Sequence, residues 1–109
     1  MMRGDIFAVI LTGDYGKPRP AIIVQSDLLA GQVGSVIVCP LTSFEGPTPN
    51  FRFDIEPDTT NGLRVLSQAM VEKPITIMRR RVGQKIGRLN DADLRKLDTI
   101  LGFVMGLSG

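Results

Sequence analysis

Short runs of β-branched and aromatic residues, each stopped by glycine and proline, constrain this chain more than any other feature. "DIFAVILT" (5–12), "AIIVQ" (21–25), "VIVCPLTS" (36–43), "FRFDIEP" (51–57) and "LRVLSQAMVE" (63–72) each have a strand's length, and the turn-forming "GDYG", "GPTPN" and "TTNGL" fall between them. Phe51, Phe53 and Ile55 alternate with Arg52, Asp54 and Glu56, the period-two pattern of a strand with one wet face. Pro40 marks an edge or a bulge in the third run, and "SDLLAGQVGS" has room for one short helical turn. "KPITIMRRRVGQKIGRL" (73–89), broken by Gly83 and Gly87, reads as the last strand and its approach. Asn90 then caps a helix in which Leu94, Leu97, Leu101 and Val104 recur at helical spacing. Short strands closed by one helix predict a mainly β fold: a small, strongly bent β-barrel capped by that helix.

A chain of 109 residues with 43% hydrophobic content supports one core, so residues 1–109 are read as a single domain. No apolar run approaches the ~18 residues of a membrane span, and "MMRGD" opens without a signal-type segment. The expectation is a soluble, cytoplasmic protein with no membrane association. The "RGD" at 3–5 is read as the opening of the first strand rather than as an adhesion motif. The lone Cys39 reads as a small core hydrophobe. With no histidine in the chain, a His-ligated zinc and the usual neutral-pH proton shuttle are both excluded. No metal and no cofactor is expected, and any catalysis rests on arginines, hydroxyls and carboxylates. The net charge is only +2, yet Lys73, Arg79, Arg80, Arg81, Lys85 and Arg88 share a stretch free of acids. That stretch is either an anion-binding face or a solvated basic surface.

"GKPRPAIIVQSD" (16–27) sets Arg19 between Pro18 and Pro20, which stiffen the backbone on both sides of it. If the second and third strands pair antiparallel, the start of one lies beside the end of the other, and Arg19 meets Thr42 and Ser43 at one sheet edge. A guanidinium fork beside a hydroxyl grips a phosphate. The bland alternative pairs Arg19 with Asp5 or Asp14.

"RGDIFAVILTGDYGKPRPAIIVQSD", "VIVCPLTS", "LSQAMVEKPITI" and "GRLNDADLRKLDTILGFVMGL" together resemble the MazF/PemK family of toxin ribonucleases, in order and over nearly the whole chain. The resemblance implies an SH3-like barrel, a homodimer, and metal-independent endoribonuclease activity on single-stranded mRNA that leaves 2′,3′-cyclic phosphate and 5′-hydroxyl ends. It places the family's proline-flanked arginine on Arg19 and its strand-end threonine on Thr42 as the catalytic pair. Candidate RNA contacts are Ser43, Gln68, Lys17, Tyr15, Lys73 and Arg79. Gln68 matches the family's glutamine and either touches RNA or holds the site together. "TGDYGKP" would be a flap, with Tyr15 offering a stacking face.

The acid that precedes this glutamine in PemK-like members is replaced by Ser67, so the general base does not carry over; Asp14 and Glu72 are the remaining candidates, without support from spacing, or the family's minimal arginine–threonine pair suffices. The family also implies a cognate antitoxin whose disordered, acidic and partly apolar tail competes with RNA for the basic groove. Two other functions compete with this reading. A gyrase poison of the CcdB type depends on a tryptophan near its C-terminus, and this chain, which ends "GLSG", has none. A non-catalytic RNA- or protein-binding barrel is the other.

Overall fold

The continuous apolar runs at 21–24 and 36–39 lie at the centre of one antiparallel sheet, covered on both faces. The computed structural model describes residues 1–43 and 46–107, so the closing Ser108 and Gly109 of "GLSG" lie outside the described residues. Among the described residues there are seven strands: β1 (Asp5–Ile10), β2 (Pro18–Ile23), β3 (Ser35–Thr42), β4 (Arg52–Ile55), β5 (Ser67–Met70), β6 (Ile75–Met78) and β7 (Val82–Arg88). One 3-10 turn, Asp27–Leu29, falls in "SDLLAGQVGS", and a second, Arg79–Arg81, separates β6 from β7. The helix α1 covers Asp91–Val104.

The strand order is β4-β5-β3-β2-β1-β7, with β6 also paired to β3, and every pairing is antiparallel. The path ends at β4 and β7, so the expected barrel is a strongly bent sheet that does not close. Its bend has a visible origin. Along one side of β3, Ser35–Val38 pair with β6, whereas Leu41 and Thr42 pair with β5. Pro40, which lacks an N–H to donate, sits at this change of partner on a central strand rather than at an edge. The segment 73–89 likewise divides in two. β6 joins β3 and β7 joins β1, with the Arg79–Arg81 turn between them.

Alternation along β2 and β3 feeds two apolar clusters. Ile22, Val24, Cys39 and Leu41 join Ile6, Phe53, Ile55, Ala69, Val71, Leu89 and Leu97 on the side covered by α1. Ala21, Ile23, Val36 and Val38 join Val9 and Ile77 on the other, where β6 curls over. Burial on both faces is why these strands read as unbroken apolar runs. Leu94, Leu101 and Val104 complete the helix face, and Asn90 caps it by accepting a 2.8 Å bond from the Asp93 N–H. Burial in these surroundings pushes the Cys39 thiol up to about 12, which matches its reading as a core hydrophobe.

Asp5 is the main buried charge. Its carboxylate accepts from the Met2 N–H at 2.8 Å and from Arg88 Nη1 at 3.0 Å, with Lys85 Nζ at 3.5 Å. Burial alone would raise its pKa, but these donors outweigh it and hold the carboxyl below its usual range. The "RGD" aspartate is thus an interior ion-pair partner. Arg3, beside it, ties the N-terminus to α1 through Asp98 at 2.6 Å.

Candidate active site

β2 begins at Pro18, where the chain leaves the β1–β2 loop, and Arg19 lies opposite Val9 of β1. On its other side β2 pairs with β3 through Ala21–Pro40, Ile22–Cys39 and Ile23–Val38. Carried two residues further, this register sets Arg19 across from Thr42, at the end of β3. Both side chains line one groove of about 990 Å³ at this end of the sheet. Asp14, Ser43, Leu63, Arg64, Val65, Lys73 and Ile75 also line it.

The electrostatics of this groove are lopsided. Among its described lining residues, Arg19, Arg64 and Lys73 face a single carboxylate, Asp14, whose Oδ2 stands 3.4 Å from Arg19 Nε. Arg19 is 44% exposed in its side chain, so the pair leaves guanidinium N–H groups open to a ligand. The Thr42 hydroxyl makes no hydrogen bond to another described residue and is available to donate. Of the two pairings weighed for Arg19, the one with Asp14 is present; Asp5 serves Arg88 and Lys85 instead.

Asp14 is held by the turn it belongs to. Its N–H donates to Leu11 O at 3.3 Å, and its carbonyl accepts from the Lys17 N–H at 2.9 Å. Tyr15 in the same loop has a left-handed φ of 53° and is fully exposed. Neither Tyr15 nor Lys17 lines the groove; they sit on the loop at its rim.

Other expected contacts lie elsewhere. Gln68 is 1% exposed, and its Nε2 reaches Thr48 Oγ1 at 3.3 Å, which in turn donates to Asp54 at 2.8 Å. It braces the β3–β4 connection from within and does not line the groove. Arg79 donates its backbone N–H to Gly34 O, beside the start of β3, seven residues or roughly 24 Å along the strand from Thr42. It belongs to a different surface from Arg19. Lys73 does line the groove, as does Ser43.

The two candidate bases separate cleanly. Glu72 is engaged by Arg52 through Nε at 2.9 and 3.1 Å and through Nη2 at 2.5 Å. Burial raises its pKa, but the guanidinium outweighs that and lowers it, and Glu72 does not line the groove. Ser67 lines the groove but is 4% exposed, and its hydroxyl donates to Val65 O. Asp14 is therefore the one carboxylate among the described lining residues. Among the described residues, no three Asp, Glu or Cys side chains cluster as metal ligands would.

Sequence reasoning overlooked Arg64. It lies outside the basic stretch at 73–90 and inside a segment read as strand from Leu63. In fact β5 starts only at Ser67, so Leu63–Leu66 are loop, and Arg64 projects from it. The signal was the turn chemistry of "DTTNG" immediately before it.

The fold and groove define a small bent-sheet protein with a cationic, hydroxyl-bearing cleft. The model of the PemK-like, MazF-like toxins of type II toxin–antitoxin systems matches residues 2–105, and the chain belongs to that family. It is 36% identical to a probable endoribonuclease MazF of Mycolicibacterium smegmatis, with both chains covered completely. A mycobacterial endoribonuclease solved in complex with its cognate antitoxin superposes with a TM-score of 0.84 at 19% identity, covering 100% of this chain and 98% of the other. A MazE–MazF structure from Deinococcus radiodurans gives a TM-score of 0.75 at 20% identity, covering 99% and 97%. These two likenesses are of fold.

Proposed function

We propose that this toxin is an endoribonuclease that cuts single-stranded mRNA in the groove between Arg19 and Thr42 without a metal or cofactor. The enzyme class follows from the family and from the MazF relative; the observation that carries the site is the meeting of Arg19, Thr42 and Asp14 in one cleft. The substrate's own 2′-oxygen forms a bond to phosphorus as the bond from phosphorus to the 5′-oxygen breaks. Asp14 accepts the 2′ proton, and the electron pair leaves on the 5′-oxygen, which is protonated by solvent or by Arg19. Arg19 and Thr42 donate to the non-bridging oxygens, where charge develops. The products are a 2′,3′-cyclic phosphate and a 5′-hydroxyl.

The whole of 1–109 is read as one toxin domain acting in the cytoplasm, where mRNA cleavage arrests growth; among the described residues no helix is long and apolar enough to cross a membrane. Phe103, Met105 and Leu107, 48%, 51% and 82% exposed at the end of α1, favour a homodimer that covers them. Sedimentation should give twice 11.9 kDa. A cognate antitoxin with an acidic, partly apolar tail would inhibit by filling the groove.

The test is cleavage of RNA by the purified protein in excess EDTA, with both new ends analysed. Cyclic phosphate ends, and loss of cutting when the nucleotide 5′ to the cut carries a 2′-deoxyribose, are expected. Cutting that survives the deoxy substitution, or that needs Mg²⁺, would overturn the mechanism. Asp14→Asn should lower kcat at least about 10²-fold while binding of an uncleavable RNA is kept; an unchanged kcat would remove Asp14 as the base.

A further inference from the structure

Arg64 stands on a mount far stiffer than an ordinary loop. Asp58 Oδ1 accepts from the N–H groups of Thr60 and Asn61 at 2.8 and 2.7 Å, and its Oδ2 accepts from Asn90 Nδ2 at 3.0 Å. Asn61 is fully buried. Its Oδ1 takes the N–H groups of Asp58 and Leu63, and its Nδ2 donates to Glu56 O. Two glycines let this turn lie directly on β7. Gly62 has a φ of +67°, and a Cβ there would come within 2.2 Å of Ile86 O; a Cβ on Gly87 would come within 2.3 Å of Asn61 C and O. The Arg88 N–H closes the contact on Thr60 O at 2.9 Å. These bonds and close approaches fix the backbone of 58–63, so little ordering of it is left for a ligand to impose.

The chain emerges from this turn as Leu63–Arg64–Val65, along the wall of the groove. Arg64 is exposed and has no carboxylate within 4 Å among the described residues. Val65 and Leu66 beside it are 56% and 40% exposed, giving apolar surface next to the charge. A stiffly mounted, unneutralised arginine flanked by apolar side chains, in the same groove as Arg19, matches the repeat of an RNA strand, where each charged phosphate adjoins a sugar and base.

We propose that Arg64 is a binding residue for a second phosphate of the RNA, one flanking the scissile phosphate that Arg19 and Thr42 hold, and that it sets the register of the strand in the groove. This rests on the proposed cleavage site but assigns Arg64 affinity and positioning rather than chemistry.

The experiment pairs Arg64→Ala with a scan of single methylphosphonates, which neutralise one phosphate at a time, along an RNA made uncleavable by a 2′-deoxyribose at the cut. Wild type should lose about ten-fold in affinity at one position flanking the cut, and Arg64→Ala should lose less than two-fold at that same position. The variant should also bind the unmodified RNA about ten-fold more weakly, with a log K against log salt slope shallower by about 0.7, and melt at the wild-type temperature. Equal affinity and equal slope in wild type and Arg64→Ala would overturn the assignment while leaving the cleavage site intact, provided wild type cuts RNA. A weaker grip on an acidic antitoxin peptide with unchanged RNA binding would overturn it in favour of a protein contact. Absence of RNA binding by wild type would overturn both.

Discussion

At the β1–β7 edge, Arg88 and Lys85 converge on the buried Asp5 carboxylate at 3.0 and 3.5 Å, whereas in the groove Arg64 and Lys73 have no carboxylate within 4 Å among the described residues. Arg19 lies between these extremes, with Asp14 at 3.4 Å and much of its guanidinium exposed. All of these cations are alike in the sequence, and what separates them is whether the fold has already supplied an anion. A paired and partly desolvated arginine yields to a phosphate only by giving up its carboxylate, while an unpaired one in a groove gains by binding. The basic stretch from 73 to 90 is therefore three things: Lys73 in the groove, Arg79–Arg81 on a distant turn, and Lys85 and Arg88 as structural partners of Asp5.

Substitutions on the two sides should separate activity from stability. Thr42→Val should lower kcat about 10²-fold, roughly 2.7 kcal/mol of transition-state stabilisation, without moving the melting temperature. Asp5→Asn should do the reverse, costing about 2 kcal/mol by denaturant unfolding while leaving cleavage per folded molecule unchanged. A loss of activity in Asp5→Asn beyond its unfolded fraction would mean that the two regions are coupled.

Acid provides a smaller, graded version of the same contrast. Asp5 and Glu72 both have pKa values lowered from 3.8 and 4.5, so the stability they supply is complete above those values and lost as pH falls through the lower folded ones. Asp93 works in the opposite sense. Burial, chiefly, raises its pKa, so its charged form disfavours the fold and protonation relieves a little of that cost. Unfolding free energy should thus be flat above about pH 5 and decline below about pH 4, and the decline should be shallower in Asp5→Asn. The smallest expected difference is between two lysines. Lys73→Gln should weaken RNA binding about three-fold, and Lys85→Gln by less than two-fold, read by titration at one fixed salt concentration.

Much of the fold could be read from the chain because its signals were local. The capping of α1 by Asn90, the helix face of Leu94, Leu97, Leu101 and Val104, and the alternation in β4 all follow from spacing alone. The division of 73–89 into β6 and β7 did not, because it depends on which distant strand each half pairs with, and β-branched residues around Arg79–Arg81 fit one long strand equally well. The bend was legible but the degree of closure was not, for the same reason: whether β4 meets β7 is a property of global bend, and "barrel" fits the open sheet only loosely.

At the site, Arg19 and Thr42 could be paired from sequence because an antiparallel register links one strand's start to its neighbour's end. Gln68 and Arg79 could not be sorted, since a buried brace and a distant turn look the same as groove residues in one dimension. Arg64 was hidden by the placement of the β5 boundary, which moves when Asn61 and Gly62 draw the turn onto Gly87.

The most direct measurement compares wild type with Arg19→Ala by mapping the 5′ ends of fragments from a long single-stranded RNA, with circular dichroism and uncleavable-RNA binding as companions. Arg19 is exposed and, among the described residues, pairs only with Asp14, so the variant should keep the wild-type spectrum and lose cleavage by at least about 10²-fold at every mapped position. Wild-type cutting by a folded Arg19→Ala protein would contradict the account, because the groove between β2 and β3 would then not be where the phosphodiester is broken.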